Sequence, residues 1–190
     1  MSKNKNIAGV DEVGRGCIAG PVVAAAVIFK EKIKLKSIKD SKKISFNNRY
    51  EISEYIKENS FYGIGIASVK EIARLNILQA SLLAMKRALL KLSVKPGLVL
   101  IDGNFAPKGI KNYKTIIKGD EKIKEISAAS IVAKCYRDLL MIELSKKFKK
   151  YYWNKNFGYG TKQHLLSLKK YGTTKLHREK FSPIHQMLTK

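Results

Sequence analysis

Four acidic side chains are the strongest candidates for chemistry in this chain, because acids are scarce in it. Each comes immediately or nearly after a short apolar run that is predicted to form a β-strand: Asp11, Glu12, Asp102 and Asp120. Open α/β sheets hold ligands at the carboxyl ends of their strands, so neighbouring strands would bring these carboxylates together. Clustered carboxylates raise one another's pKa, and a hard divalent cation relieves the repulsion. The pattern predicts a site for Mg²⁺ or Mn²⁺, with two ions during phosphodiester hydrolysis.

A structural role is the alternative for each acid taken alone. A strand-end aspartate often makes a turn or caps a helix, which would explain Asp102 in the run Asp-Gly-Asn. That alternative explains poorly why four acids occur at three strand ends. The sequence contains no G-x-x-x-x-G-K-[ST], G-x-S-x-G or H-E-x-x-H pattern. Three histidines are spaced too widely for a helical metal pair and are expected to be structural or to contact phosphate: His164, His177 and His185.

The overall charge favours a polyanionic partner. The 190 residues include 38 Lys and Arg against 15 Asp and Glu, a formal net charge of +23. Neutralising phosphates with such a surface releases counterions and supplies affinity. Only six of the basic residues are Arg, so biased base composition of the genome is an alternative source of the lysines. Residues 145–190 hold twelve Lys or Arg and one acid, interleaved with aromatic rings that would either stack on nucleic acid or pack in a core.

Apolar periodicity predicts the elements that position these residues. Strands are expected at 7–10, 22–29, 62–69, 98–101 and 113–117. Helices are expected at 47–59, at 70–92 and from Ser127 onward, and the chain after about residue 150 is expected to be helical or irregular. Strands interleaved with helices indicate an α/β fold, with one mixed sheet covered on both faces.

The remaining composition points to a soluble protein of a reducing compartment. Cys17 and Cys135 have no ligand spacing and no disulfide framework around them. The N-terminus turns acidic before any long apolar segment, and no run of 18 apolar residues occurs. We therefore expect no membrane association, a cytoplasmic location and a monomer.

Several blocks of the sequence resemble the ribonuclease HII family, in order and over nearly the whole chain. The opening blocks are IAGVDEVGRG (7–16), AGPVVAAAV (19–27), DSKKIS (40–45) and LNILQAS (75–81). The later blocks are IDGN (101–104), KGD (118–120), ISAASIVAKCYRD (126–138), GYGTKQH (158–164) and HREKFSP (177–183). DEVGRG and SAASIVAK are the specific ones, whereas IDGN or KGD alone would be weak.

The resemblance implies a ribonuclease H-like mixed sheet flanked by helices, with a helical C-terminal extension. Residues 1–145 would form the catalytic domain, and residues 146–190 would complete a substrate groove within one compact unit. It also implies a metal-dependent endonuclease that cuts RNA in RNA–DNA hybrids and on the 5′ side of single ribonucleotides in duplex DNA. The products would carry a 3′-hydroxyl and a 5′-phosphate.

Carried over residue by residue, the family's metal-binding acids fall on the same four acids named above. Gly14-Arg15-Gly16 matches the loop that reads the 2′-hydroxyl, which is both donor and acceptor. Tyr159 matches the tyrosine that stacks on the sugar at the RNA–DNA junction. Further matches to substrate-contacting positions are Ser41, Lys42 and Lys43, which resemble a phosphate-holding segment, and Asn76 and Gln79, which interrupt an apolar stripe. Asp138 is expected to be a structural salt-bridge partner.

Three rival functions stay open at this point. A ribonuclease HIII-type enzyme would cut hybrids but would cut single embedded ribonucleotides poorly. A DNA recombinase or transposase would use a similar acid cluster but has no use for the Gly14–Gly16 loop. A basic nucleic-acid-binding protein without activity would explain the charge and leave the acids unexplained.

Overall fold

The structure is a computed structural model that describes residues 6–31 and 45–189. Its strands form one sheet and are β1 (Ile7–Val13), β2 (Val22–Phe29), β3 (Ser60–Ala67), β4 (Leu98–Asp102) and β5 (Tyr113–Ile116). The strand order is β3-β2-β1-β4-β5. β1 pairs antiparallel with β2 and parallel with β4, so the sheet is mixed, as predicted.

Helices connect the strands and follow the last of them. They are α1 (Phe46–Glu58), α2 (Val69–Leu75), α3 (Ile77–Leu90), α4 (Gly119–Lys122), α5 (Lys124–Lys147), α6 (Trp153–Asn156), α7 (Lys162–Tyr171) and α8 (Ile184–Leu188). A single 3₁₀ turn, Lys149–Tyr151, links α5 to α6.

β2 shows why the sheet needs a helical layer on each face. Alternate side chains of this strand belong to two separate apolar clusters, Ala24 and Ala26 to one and Ala25 and Val27 to the other. The first cluster includes α3 residues, and the second includes α1 and α5 residues. Both faces are therefore buried, as the unbroken apolar run predicted.

Close backbone packing holds α5 against the strand that carries two of the acids. A Cβ on Gly9 would collide with the backbone of Glu125 and Ile126 at the start of α5. Only glycine admits that approach. The start of the longest helix is thus fixed beside β1.

The structure differs from the predicted elements at several places. The strand predicted over 62–69 runs over Ser60–Ala67, and Val69 begins α2. The helix predicted over 70–92 is broken at Asn76, whose φ of 68° ends α2 before α3 begins. The second long helix starts at Lys124, three residues before Ser127. Asp11 and Glu12 lie inside β1, which runs to Val13. The ends of these elements differ from the prediction because capping and strand pairing determine them. Apolar periodicity indicates only the middle of an element.

The C-terminal segment forms a third apolar cluster together with earlier parts of the chain. Trp153, Leu168 and Ile184 pack there with Ile18 and Met141. Tyr151 and Trp153 are thus core, whereas Tyr152, Tyr159 and Tyr171 are exposed. In the described residues, no helix is both long enough and apolar enough to cross a bilayer.

Candidate active site

All four predicted acids line one cavity of about 460 Å³ at the edge of the sheet. The cavity is also lined by cationic, hydroxyl and aromatic side chains, namely Arg49, Lys118, Ser130, Lys134 and Tyr159. Carboxylates and cations thus line the same cavity. Sequence reasoning missed these cations and Ser130, although Ser130 and Lys134 both lie in the ISAASIVAKCYRD block.

Parallel pairing of β1 with β4 brings the first acids together. Val10 pairs with Ile101, so the next residues along the two strands are Asp11 and Asp102. The Asp102 carboxylate then accepts a hydrogen bond from the Gly119 N–H at 2.7 Å. This bond ties the start of α4 to the end of β4 and holds Asp120 at the same edge.

Asp11 is the most buried of the four acids, with 5% of its surface exposed. Burial raises its pKa well above the usual range, and the charges of Glu12 and Asp102 raise it further. A hydrogen bond from the Glu12 N–H, 2.7 Å long, and the neighbouring Ser130 hydroxyl act against this rise. The carboxylate is therefore held by the Glu12 N–H in a place that disfavours its charge.

Glu12 has one paired and one unpaired oxygen. Its Oε1 accepts a hydrogen bond from Arg15 at 3.0 Å, and burial raises its pKa despite that contact. Its Oε2 is buried and, within the described part of the chain, has no hydrogen-bond partner. A buried carboxylate oxygen without a partner is costly unless a ligand completes it.

The donor set fits a hard divalent cation. It consists of carboxylate oxygens, the ligands that Mg²⁺ and Mn²⁺ prefer, and it contains an unpaired oxygen on Glu12. Within residues 6–31 and 45–189, no three acidic, thiol or imidazole side chains form a ready-made metal-binding group. The carboxylates thus line the cavity in a looser arrangement than a preformed metal cage.

Two buried arginines, Arg178 and Arg137, lie against the Gly14–Gly16 loop. The Arg178 guanidinium donates to the carbonyls of Gly14 (2.7 Å), Arg15 (2.9 Å) and Gly20 (2.9 Å). Gly14 has a φ of 94°, and a Cβ there would collide with the Arg137 side chain. Arg137 itself donates to backbone carbonyls, Pro21 and Ala19 among them. Both arginines were missed by sequence reasoning, although they are two of only six in a lysine-rich chain.

Tyr159 lines the cavity with 38% of its surface exposed. Its ring lies 5.7 Å from the Lys134 ammonium. Its carbonyl accepts a hydrogen bond from His164 Nδ1 at 2.8 Å. The Tyr159 segment is therefore fixed both at its ring and at its backbone.

Two histidines behind Tyr159 form a neutral pair. Trp153 Nε1 donates to His164 Nε2 at 3.1 Å, which leaves the proton of His164 on Nδ1. His177 Nδ1 accepts from the Thr174 N–H, so its own proton is on Nε2 and points at His164 Nε2, 3.1 Å away. Burial lowers the pKa of His177 to about 4, and the nearby His164 adds to this effect. Of the two expected roles, structural or phosphate contact, the burial of His164 and His177 favours the structural one.

The other predicted substrate contacts fall into two groups. Ser41, Lys42 and Lys43 fall outside the described residues. Asn76 and Gln79 do not line the cavity, and the Asn76 side chain accepts a hydrogen bond from the Gln79 N–H at 3.1 Å as an N-cap. Asp138 is fully buried and pairs with Arg49 and Lys134, so the expected salt bridge is present.

Comparisons with known proteins agree with this architecture. The family model described as Ribonuclease HII matches residues 8–184. A ribonuclease HII of Pelagibacter ubique is 58% identical over 97% of this chain and its own full length. A ribonuclease HII of Anaplasma marginale is 52% identical, covering 95% of this chain and 76% of the relative.

Solved structures show the same fold. The ribonuclease H2 of Pyrococcus horikoshii OT3 aligns with a TM-score of 0.77 at 25% identity, covering 95% of this chain and 96% of that one. Bst-RNase HIII, solved in complex with Mn²⁺, aligns with a TM-score of 0.79 at 20% identity, covering 96% of this chain and 69% of that one.

The mixed sheet flanked by helices, with this family match, defines a ribonuclease H-type endonuclease. Within that class, the chain belongs to the ribonuclease HII family.

Proposed function

We propose that this enzyme is a metal-dependent nuclease that cuts RNA in RNA–DNA hybrids and 5′ of single ribonucleotides in duplex DNA. The products are a 3′-hydroxyl and a 5′-phosphate. The observation that carries the proposal is the cavity lined by four carboxylates, one with a buried unpaired oxygen. Family membership supports an RNA–DNA substrate, and the Mn²⁺ bound by the Bst-RNase HIII structure supports the metal class.

Asp11, Glu12, Asp102 and Asp120 would hold Mg²⁺ or Mn²⁺, two ions during catalysis. Divalent ions in such a site activate water and stabilise the leaving oxygen. The protein's own contribution is positioning and electrostatics. The Glu12 N–H keeps the Asp11 carboxylate in one orientation, and Arg15 does the same for one oxygen of Glu12.

Substrate selection is assigned to the Gly14–Gly16 loop and to Tyr159. Glycines allow a backbone to approach the 2′-hydroxyl closely, and that group separates RNA from DNA. The Tyr159 ring would stack on the sugar that follows the ribonucleotide, where an added hydroxyl would crowd it. Ser41, Lys42, Lys43, Asn76 and Gln79 would contact the nucleic-acid backbone.

Residues 146–190 would complete the substrate groove begun by residues 1–145. The charge of this segment and its packing against the rest of the chain support this proposal. The segment is strongly basic, it carries Tyr159, and its apolar side chains share a cluster with Ile18 and Met141.

Incubating the protein with a duplex DNA that carries one ribonucleotide, with and without Mg²⁺, tests the function. We expect a single cut on the 5′ side of the ribonucleotide that depends on the metal. An RNA–DNA hybrid is the parallel substrate, and cleavage of the hybrid alone would indicate ribonuclease HIII-type activity instead. Cleavage of an all-DNA duplex would indicate a recombinase-like nuclease.

Asp120→Asn tests the acid assignment. The change removes one carboxylate charge at nearly constant shape, so kcat should fall by roughly 10²-fold or more. Binding should persist or tighten, because a negative charge near the phosphate is removed. Full cleavage by Asp120→Asn in Mg²⁺ would contradict the four-acid site.

A further inference from the structure

Tyr159 lies in a stretch of chain whose own backbone does little to fix it. Residues 157–161 belong to no helix or strand, and a glycine stands on each side of the tyrosine, Gly158 with a φ of 85°. Glycine leaves the backbone more conformational freedom than any other residue. Since 38% of the tyrosine surface is exposed, the position of its ring depends on contacts that hold its backbone.

His164 supplies one of those contacts from within a helix. It lies in α7, whose first turn is capped by the Thr161 hydroxyl, and the residue is fully buried. Its Nδ1 donates to the Tyr159 carbonyl at 2.8 Å, and the same carbonyl accepts from the Thr161 N–H at 2.9 Å. The start of α7 thus holds the Tyr159 backbone through two donors.

Other buried groups hold the His164 ring in turn. Its Nε2 accepts from Trp153 Nε1 and from His177 Nε2, both at 3.1 Å. His177 Nδ1 accepts from the Thr174 N–H at 2.9 Å, so the donors from Thr174 through the two imidazoles all point toward the Tyr159 carbonyl. Hydrogen bonds in such a chain polarise one another, and burial shields them from water, so the last bond of the chain is strengthened.

A purely structural role in the third apolar cluster is the competing explanation. Such a role requires only volume, and apolar side chains would fill the space without the cost of burying polar groups. The two histidines instead pair every ring nitrogen, and their hydrogen-bond chain ends at a residue that lines the acid-lined cavity. This end point favours a role in how the substrate is held.

We propose that His164 is a positioning residue that holds Tyr159 against the sugar after the ribonucleotide and thereby sets how strongly the enzyme prefers a deoxyribose there. The inference rests on the proposed function, which assigns the stacking to Tyr159. A firmly held ring lies too close to the sugar to admit a 2′-hydroxyl, whereas a ring that can move away tolerates it. Releasing Tyr159 should therefore weaken the preference for a single ribonucleotide over continuous RNA.

Two substitutions at His164 separate positioning from packing. In His164→Asn the amide nitrogen takes the place of Nδ1, so the donor to the Tyr159 carbonyl stays and the acceptor for Trp153 and His177 is lost. In His164→Gln the amide oxygen takes the place of Nε2, so the acceptor stays and the donor is lost. Each variant loses buried contacts on one side of the ring, but only the glutamine releases Tyr159.

The decisive measurement is kcat/KM in Mg²⁺ on two substrates, a duplex DNA with one ribonucleotide and an RNA–DNA hybrid. A loss of folded protein lowers both values equally and cancels in their ratio. For His164→Gln we expect the ratio of single-ribonucleotide to hybrid cleavage to fall about tenfold, as for a partly lost stacking contact. His164→Asn should keep the wild-type ratio. A wild-type ratio in His164→Gln, or an equal fall in both variants, would overturn the proposal.

Tyr159→Leu shows whether His164 acts through the tyrosine. Once the ring is absent, His164→Gln should change the ratio no further, so the two substitutions should be non-additive. A further fall in the double variant would contradict the positioning role. If thermal unfolding shows that His164→Gln does not fold, His164→Asn decides alone: a wild-type ratio supports the proposal, and a reduced ratio contradicts it.

The same assays separate this inference from the proposed function. Failure of the wild-type chain to cut the single-ribonucleotide duplex would reject the function, and an unchanged ratio in Tyr159→Leu would reject the stacking assigned to Tyr159. Wild-type cleavage and a reduced ratio in Tyr159→Leu, together with an unchanged ratio in His164→Gln, would reject only the role of His164.

Discussion

At the scale of single residues, the neutral histidine pair shows how a buried polar group is satisfied. Each ring nitrogen of His164 and His177 has a partner, with His164 Nε2 shared as acceptor by Trp153 and His177, and the fixed N–H and C=O partners set both tautomers. A second proton on either ring would face a donor instead of an acceptor. The pair therefore resists protonation, and it links the third apolar cluster to the backbone of Tyr159.

A pH dependence of stability follows from His177. Its pKa is about 4 in the folded protein and about 6.5 in an unfolded chain, so the unfolded chain binds more protons between these values. The contribution of His177 is complete above about pH 6.5 and is lost as the pH falls toward about 4. Between about pH 7 and about pH 5 the loss should be about 2 kcal/mol of the free energy of unfolding.

Urea unfolding of wild type and of His177→Asn at both pH values measures this contribution. The asparagine oxygen can still accept from the Thr174 N–H but does not titrate, so the variant should lose less stability on acidification. The comparison is needed because Asp11 and Glu12, whose raised pKa values favour folding at low pH, act in the opposite direction. Equal losses in the two proteins would contradict the assignment.

At the scale of elements, the break at Asn76 separates two helices that share one apolar stripe. The residue has φ 68° and ψ 168°, a backbone region that is strained for any residue except glycine. Its side chain compensates by capping α3 through the Gln79 N–H. One residue thus ends one helix, changes the chain direction and starts the next.

Two substitutions separate these contributions. Asn76→Ala keeps the strain and loses the cap, so it should lower the free energy of unfolding by about 1–2 kcal/mol. Asn76→Gly loses the cap but relieves the strain, so its stability should equal or exceed that of wild type. Chemical denaturation measures both. A glycine variant less stable than the alanine variant would show that strain is absent.

Asn76→Gly also tests the predicted nucleic-acid contact. A stable glycine variant that binds the ribonucleotide duplex as wild type does would assign Asn76 to the fold alone.

Elements were predictable where side-chain periodicity decides them. The apolar run of β2 and the stripe of α3 follow from burial, and both lie close to their predicted places. The break at Asn76 was not predicted, because the apolar stripe continues through it and only backbone geometry reveals the turn.

The four acids of the site were found because strand ends are local features of the sequence. Arg49, Arg137 and Arg178 were missed because each has a partner 89 to 164 residues away in sequence.

At the scale of the whole molecule, the C-terminal segment is part of the core. It supplies Trp153, Leu168 and Ile184 to the cluster that covers Ile18 and Met141. It also supplies the arginine that holds the Gly14–Gly16 loop. Fold and site therefore depend on contacts between the two ends of the described chain.

A chain that ends at residue 145 should not fold to a stable state. Removal of the segment uncovers an apolar cluster and leaves buried carbonyls unpaired, at a cost comparable to the stability of a whole domain. Circular dichroism during heating should show no cooperative transition, whereas a control chain ending at residue 188 should keep it. A cooperative transition in the shorter chain would show that residues 1–145 fold alone.

The large separation in sequence between Arg178 and the loop that it contacts has a consequence for biosynthesis. The loop at residues 14–16 leaves the ribosome early, but the side chain that braces its carbonyls is translated more than 160 residues later. Until then the growing polypeptide lacks the side chain that fixes this loop. The nuclease is thus assembled only near the end of translation, shortly before the finished chain is released from the ribosome.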